Sequence, residues 1–359
     1  MLVSNYTFLF EHQGNFFAFN SLSRALIELN RDIYLYLQNK QTNKDRISDG
    51  DLEIEVYKEL ERRLFICKSL QDEFLIYKSI ITEARKQDNF LHLTIAPTMD
   101  CCFNCFYCFE KNKTKSYITE EIIDSIVKNI QKRSTLQSMH LTWFGGEPLM
   151  AIDKMALFHK KFRVFFQGSF SSNIITTAFH INPSTIKILK DIEVKSMQIT
   201  LDGLENTHNA IKFTKGCNNA FQQTLNNIDS IIDIYPELNI SIRVNTTKKN
   251  QNEYIPLYNY ISNRYSGKVS IAPGLVMNRT NDDSISGLFN HKDFTKFSLN
   301  LWKNHRIITP WLMYKDFGHI ECAIRNKNAL SVDPDGHVYQ CWENIGIKKR
   351  AIGKLNKNG

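Results

Sequence analysis

The sequence predicts an α/β protein built around a parallel sheet of six βα units, a partial barrel short of the eight units of a closed one. Three observations carry that expectation. From Phe90 onward, apolar runs of strand length alternate with longer amphipathic segments. The runs lie near residues 90–96, 139–144, 173–178, 196–201, 238–245 and 268–273, which makes six units. Residues with chemical character fall at the carboxyl ends of these runs, where parallel sheets collect their ligand loops.

Residues 1–86 read as a small α+β module. Tyr6–Phe10 and Asn15–Phe19 alternate around Gln13-Gly14 and predict a hairpin. Ser21 or Ser23 is expected to cap a helix carrying Leu26, Leu29, Ile33 and Leu37 on one stripe. Helices follow over Ile54–Leu64 and Glu73–Lys86, with a short strand at Leu64–Cys67. A hairpin followed by helices outlines a winged-helix-like module, suited to taking an extended peptide as an added strand or to capping the barrel.

Within the barrel, helices are predicted over Thr119–Lys132, Met155–Phe166, Pro183–Leu189, Phe221–Ile234 and Tyr254–Tyr265. The first is the clearest, since Ile122, Ile123, Ile126, Val127 and Ile130 make one stripe behind a capping Thr119. A further helix is read around Phe294–Trp302, after which Asp335-Gly336 predicts a hairpin.

The 359 residues are 42% apolar and 23% charged, an ordinary globular composition. No run approaches the ~20 apolar residues of a membrane helix, and the amino terminus lacks a cleavable signal pattern. A reduced cytosol is therefore expected, where clustered cysteines favour metal over disulfides. The net charge of +8 comes from scattered lysines, with no basic helix or aromatic-basic stripe to point to nucleic acid.

The first strand runs into Cys101, Cys105 and Cys108, a C-x3-C-x2-C set. Three thiolates on such a loop hold three corners of an iron–sulfur cube and leave the fourth iron without a protein ligand. Cys102 keeps a second reading open, because C-x2-C also runs from Cys102 to Cys105, as in a zinc knuckle. No Cys or His follows within thirty residues of Cys108 to complete such a site. The second strand ends in Gly145-Gly146-Glu147-Pro148, where paired glycines let backbone approach a ligand. The fourth ends in Thr200-Leu201-Asp202-Gly203, with His208 beyond, and Asp-Gly is also an ordinary turn. In the fifth, alternation sets Ser241, Arg243 and Asn245 on one face; an arginine mid-strand calls for an anion or a salt bridge.

Taken together, these motifs resemble those of radical S-adenosylmethionine (SAM) enzymes. Tyr107 before the third cysteine and the string Ala96-Pro97-Thr98…Cys101-x-Phe103-x-Cys105-x-Tyr107-Cys108 look like the peptide-maturing branch that carries a SPASM-type extension. That branch tends to have Asn after the first cysteine, where this chain has Cys102. The resemblance implies a [4Fe-4S] cluster on Cys101, Cys105 and Cys108, and Tyr107, Gly145, Gly146, Glu147 and Arg243 as SAM-binding residues. It makes Asp202 the candidate catalytic or substrate contact and His208 structural. The third strand's end, Thr176-Thr177-Ala178, departs from the family's Thr-Asn-Gly and receives no role.

Cys322 and Cys341, spaced C-x13-G-x4-C around Gly336, resemble the opening of the SPASM extension and imply an auxiliary cluster. Further cysteines are lacking after them, so the chain reads as stopping within that domain. The expected domains are 1–86, an N-terminal module that holds a leader peptide; 87–310, the radical SAM partial barrel; and 311–359, the start of the SPASM-like extension. The implied activity is reductive cleavage of SAM to a 5′-deoxyadenosyl radical that modifies a ribosomally made peptide, with flavodoxin or ferredoxin as electron donor. A sulfatase-maturing or cofactor-assembling radical SAM enzyme is the alternative, and a zinc-binding interaction protein the more distant one.

Overall fold

The first unit of the computed structural model opens with β1 (Leu2–Val3) and a hairpin of β2 (Thr7–His12) and β3 (Asn15–Asn20). Gln13 and Gly14 close it at φ 53° and 81°. Two left-handed residues give the two-residue turn whose twist matches the flanking strands. Then β4 (Leu26–Leu29) pairs antiparallel with β3, Phe16 to Leu29 through Phe19 to Leu26. The sequence expectation of a helix over Leu26 and Leu29 is therefore wrong. The helix α1 (Arg31–Asn43) starts later, because Asn30 Oδ1 accepts from the Ile33 amide at 2.8 Å and caps it there. Ser23 serves the turn instead, donating to the Arg63 carbonyl. The unit continues with α2 (Ile54–Arg62), β5 (Ile66–Cys67), which pairs with β1, and α3 (Leu70–Arg85).

Its core is Ala18, Leu29, Leu37, Leu60, Phe65 and Ile66 with neighbours. Glu73 is buried and accepts from Ser4 Oγ and from the amides of Asn5 and Tyr6, at 3.2 and 3.3 Å, so α3 is tied to the chain's first turn. The other sheet face stays apolar and open: Phe8 is 58% exposed, and Phe10 stacks on Phe17 with centroids 5.4 Å apart.

The structure describes residues 1–48, 50–85, 88–108, 110, 114–214, 219–278, 285–313 and 322–356. Two units divide the chain, one of residues 1–87 and one of residues 88–314 and 322–359. The second alternates β6 (Phe90–Ile95), α4 (Glu120–Gln131), β7 (Ser138–Trp143), α5 (Ile152–Arg163), β8 (Ser169–Thr176), α6 (Pro183–Asp191) and β9 (Val194–Thr200). It goes on through α7 (Glu205–Ile211), α8 (Ala220–Ile234), β10 (Asn239–Thr246), α9 (Tyr254–Tyr265), β11 (Val269–Leu275) and α10 (His291–His305). Strands β6 to β11 lie in chain order and pair parallel, which is the six-unit α/β partial barrel.

Alternation in these strands sorts two faces. Leu91, Leu93 and Ile95, with Met139, Leu141 and Trp143, pack against the helical stripe of Ile123, Ile126 and Ile130. Full burial of each such side chain contributes roughly 1.5–3 kcal/mol. Thr119 caps α4 as expected, accepting from the Ile122 amide. The opposite face is polar: His92, His140, Thr142 and Asn173 hydrogen-bond to one another across neighbouring strands, at 2.7 to 3.3 Å.

The remaining strands extend this sheet instead of founding a separate body. β12 (Ala329–Val332) pairs parallel with β6, and β13 (His337–Tyr339) and β14 (Gly353–Lys354) follow antiparallel. The expected boundary at 311 is thus not one of packing, since Val332 belongs to the barrel core. Gly336, at φ +80°, makes the expected hairpin turn. Among the described residues no helix is long and apolar enough to cross a membrane.

Candidate active site at the carboxyl ends of the strands

The loop after β6 carries the three cysteines, and its ends are fixed before its middle. Thr98 bridges Tyr117, and the Ile118 amide donates to the Pro97 carbonyl at 2.8 Å. The loop after β7 is laced to it: Phe144 N donates to Ile95 O, Gly146 N to Thr98 O and Glu147 N to Asp100 O, at 3.0, 3.0 and 2.8 Å. This contact explains both glycines. A Cβ on Gly146 would stand 2.1 Å from the Asp100 carbonyl oxygen, and one on Gly145 (φ +109°) 2.5 Å from that of Thr98.

Cys101, Cys105 and Cys108 are partly exposed on this loop, and the Cys108 amide donates to Cys105 O at 3.1 Å. Cys102 hydrogen-bonds to Cys101; that contact, then burial, pushes its thiol far up.

Asp202, one turn beyond β9, is fully buried. Its carboxylate accepts from the Tyr107 hydroxyl and, at 3.1 Å, from the Asn245 amide. Asn245 Nδ2 in turn donates to Tyr107 Oη at 3.1 Å, and Arg243 Nε donates to Asn245 Oδ1 at 2.9 Å. Burial first, then the charges of Asp202 and Cys105, hold the Tyr107 phenol well above its usual range. The structure therefore joins Tyr107, Asp202 and Arg243 in one network, as residues of one site. His208 is structural: its Nδ1 accepts from the Asp202 amide at 3.1 Å.

Glu147 is also fully buried, but otherwise engaged. It accepts from Thr176 Oγ1, Thr177 N, Thr177 Oγ1 and Leu149 N, at 2.5, 2.8, 2.6 and 3.1 Å. The end of β8, which had no role in the sequence reading, thus clamps the Gly-Gly turn in place. Ala178 follows at φ +55°.

Sequence reasoning missed two residues. Lys212, at the end of α7, is buried with Nζ 3.6 Å from Asp202 Oδ2. Burial works against its charge, but Asp202 and Cys105 outweigh it and hold the ammonium above its usual range. Its position four residues after the buried His208 was the available signal. Thr200 is the second: its buried Oγ1 has no hydrogen-bond partner, and it lies in register beside Arg243 on the neighbouring strand.

Thr200 and Arg243 supply a test of fit for a carboxylate-bearing cofactor. The hydrogen bonds of Arg243 go to neutral oxygens, Asn245 Oδ1 and the Leu275 carbonyl, and burial lowers its pKa. A Cβ on Gly274 would stand 2.4 Å from Arg243 Cζ, so glycine makes the room for the guanidinium. A half-buried guanidinium beside an orphaned hydroxyl calls for an anion. The carboxylate of an amino-acid cofactor fits there.

Residues 95–255 match the Radical SAM superfamily model. Among curated proteins, the chain is 24% identical over 159 residues, 44% of its length, to the sporulation killing factor maturation protein SkfB of Bacillus subtilis. Over 103 residues, 28% of its length, it is 27% identical to MJ0021 of Methanocaldococcus jannaschii, provisionally assigned as a glycyl-radical enzyme activating enzyme. The chain spans only 37% and 27% of these two proteins. Two solved structures share the fold. anSMEcpe with bound AdoMet has a TM-score of 0.61 at 18% identity over 75% of this chain and 81% of that one. Streptococcus suis SuiB bound to its precursor peptide SuiA has 0.55 at 14% over 99% and 86%. The cysteine loop, the Gly-Gly turn and the Asp202 turn all fall inside the residues that match the Radical SAM superfamily model.

Proposed function

We propose that the protein is a radical SAM peptide maturase. The observation that carries the reading is the pairing of the C-x3-C-x2-C loop with an anion-ready Arg243 and Thr200 at one end of the barrel. When bound, a [4Fe-4S] cluster and SAM supply a 5′-deoxyadenosyl radical, which abstracts hydrogen from an unactivated carbon.

The chain's own residues hold and shield. Cys101, Cys105 and Cys108 hold the cube. Arg243 and Thr200 would hold the SAM carboxylate, and the Gly145–Gly146 turn would hold its amino group. Glu147 sets that turn through its bonds to Thr176 and Thr177. Tyr107 and Asp202 close the site beneath the loop, and Asp202 is the carboxylate nearest to receive or hold a proton there. The buried aromatic Phe103, edge-on to Phe179 at 5.0 Å, helps exclude water.

A peptide substrate is supported by SkfB and SuiB, named for maturation and for a bound precursor peptide. In the first unit, β2 and β4 each pair only with β3, leaving two edges open among the described residues. We read this module as the leader-peptide holder, adding the leader as a strand with apolar side chains against Phe17, Phe19 and Leu26. A flavodoxin or ferredoxin is the proposed donor. Cys322 and Cys341, beside the β12–β13 hairpin, are the proposed start of an auxiliary cluster; it predicts iron beyond one cube per chain that Cys322→Ala with Cys341→Ala removes.

Anaerobic incubation with SAM and dithionite, read by mass spectrometry, tests the activity. 5′-Deoxyadenosine is expected from the wild type and absent from Arg243→Gln at limiting SAM. Wild-type protein loaded with the cube that releases none contradicts the proposal.

A further inference from the structure

The cysteine loop rests on a buried cation. Lys212 is only 5% exposed, and two of its contacts lie within the eight residues from Cys101 to Cys108. Its Nζ stands 5.8 Å from the Phe103 ring centroid and 5.7 Å from that of Tyr107, in a two-ring cation–π seat. Its carboxylate partner, Asp202 at 3.6 Å, is shared with the Tyr107 hydroxyl and the Asn245 amide.

We propose that Lys212 is a positioning residue that sets the reduction potential of the cluster, by holding a positive charge beneath the cysteine loop between Phe103 and Tyr107. This rests on the cluster reading above. Reduction adds one electron to the cube, taken from the donor, and no bond forms or breaks. A cation held beside a thiolate ligand in a dry site favours the more negative, reduced form. Loop packing alone would need no charge, and a methionine of similar length would fill the same space.

The test is an EPR-monitored redox titration of reconstituted protein without SAM, so that SAM binding does not enter. Lys212→Met should shift the couple negative by at least tenfold in the reduction equilibrium, about 59 mV for one electron. Lys212→Arg should restore most of it. Asp202→Asn, which removes the counter-charge, should move the couple the other way. Wild-type and Lys212→Met clusters with equal potentials and equal iron content overturn the proposal. If Lys212→Met loads no cluster, Lys212→Gln is titrated in its place: a negative shift supports the proposal, and no shift or a positive one overturns it. Wild-type protein that loads no iron–sulfur cluster at all would instead sink the underlying reading, and its iron and sulfide content tells the two failures apart.

Discussion

Two fully buried carboxylates stand at the same end of the barrel and are handled in opposite ways. Glu147 is surrounded by hydroxyl and amide donors alone. Asp202 accepts from Tyr107 and Asn245 but also faces the ammonium of Lys212. Neutral donors satisfy a carboxylate's lone pairs and pin it, which suits a brace between β7 and β8. An ion pair beside the cysteine loop keeps opposite charges poised where charge will change. The difference separates what positions the site from what tunes it.

The largest effect should come from breaking the ion pair. Asp202→Asn leaves the Lys212 ammonium buried without its partner, and urea unfolding should show a loss of about 3 kcal/mol. Glu147→Gln ranks below it. It keeps an acceptor but turns an NH2 toward the donors, so a cost of about 2 kcal/mol is expected. A double-mutant cycle of Glu147→Gln with Thr177→Val should show strong non-additivity, whereas one with Lys212→Met should add simply. Coupling between Glu147 and Lys212 would erase the distinction.

Acid should strike elsewhere. Burial, then His140, pushes His92 down to about 4, below the ~6.5 of an exposed histidine. The native state then binds fewer protons than the unfolded one between those values. Stability is fully present above pH 6.5 and falls as pH drops towards 4, by on the order of 2 kcal/mol. His92→Asn should flatten that part of the melting-temperature profile. Smallest is the effect of Gly146→Ala, about 1–2 kcal/mol of overpacking against Asp100, visible as a lowered melting point.

Much of this was legible from local pattern. All six strands and the Thr119 cap follow from alternation and capping, because each is decided by residues near in sequence. Arg243 stood out since a charge mid-strand has few bland explanations. What escaped depended on distant partners. Leu26 and Leu29 kept helical spacing, yet the pairing with β3 and the cap at Asn30 made them strand. Lys212 looked like any helix-end lysine until α7 brought it beneath a loop about a hundred residues earlier in the chain. The role of Thr176 and Thr177 likewise appears only when Glu147 swings to them.

The central claim is that Cys101, Cys105 and Cys108, and not Cys102, hold an iron–sulfur cube. The most direct measurement is iron and sulfide content with Mössbauer spectroscopy after anaerobic reconstitution of single cysteine variants. Cys101→Ala, Cys105→Ala and Cys108→Ala should each lose the [4Fe-4S] signature, while Cys102→Ala keeps it in full. A cube that survives Cys101→Ala and vanishes with Cys102→Ala, or zinc bound in its place, would contradict the account at its base.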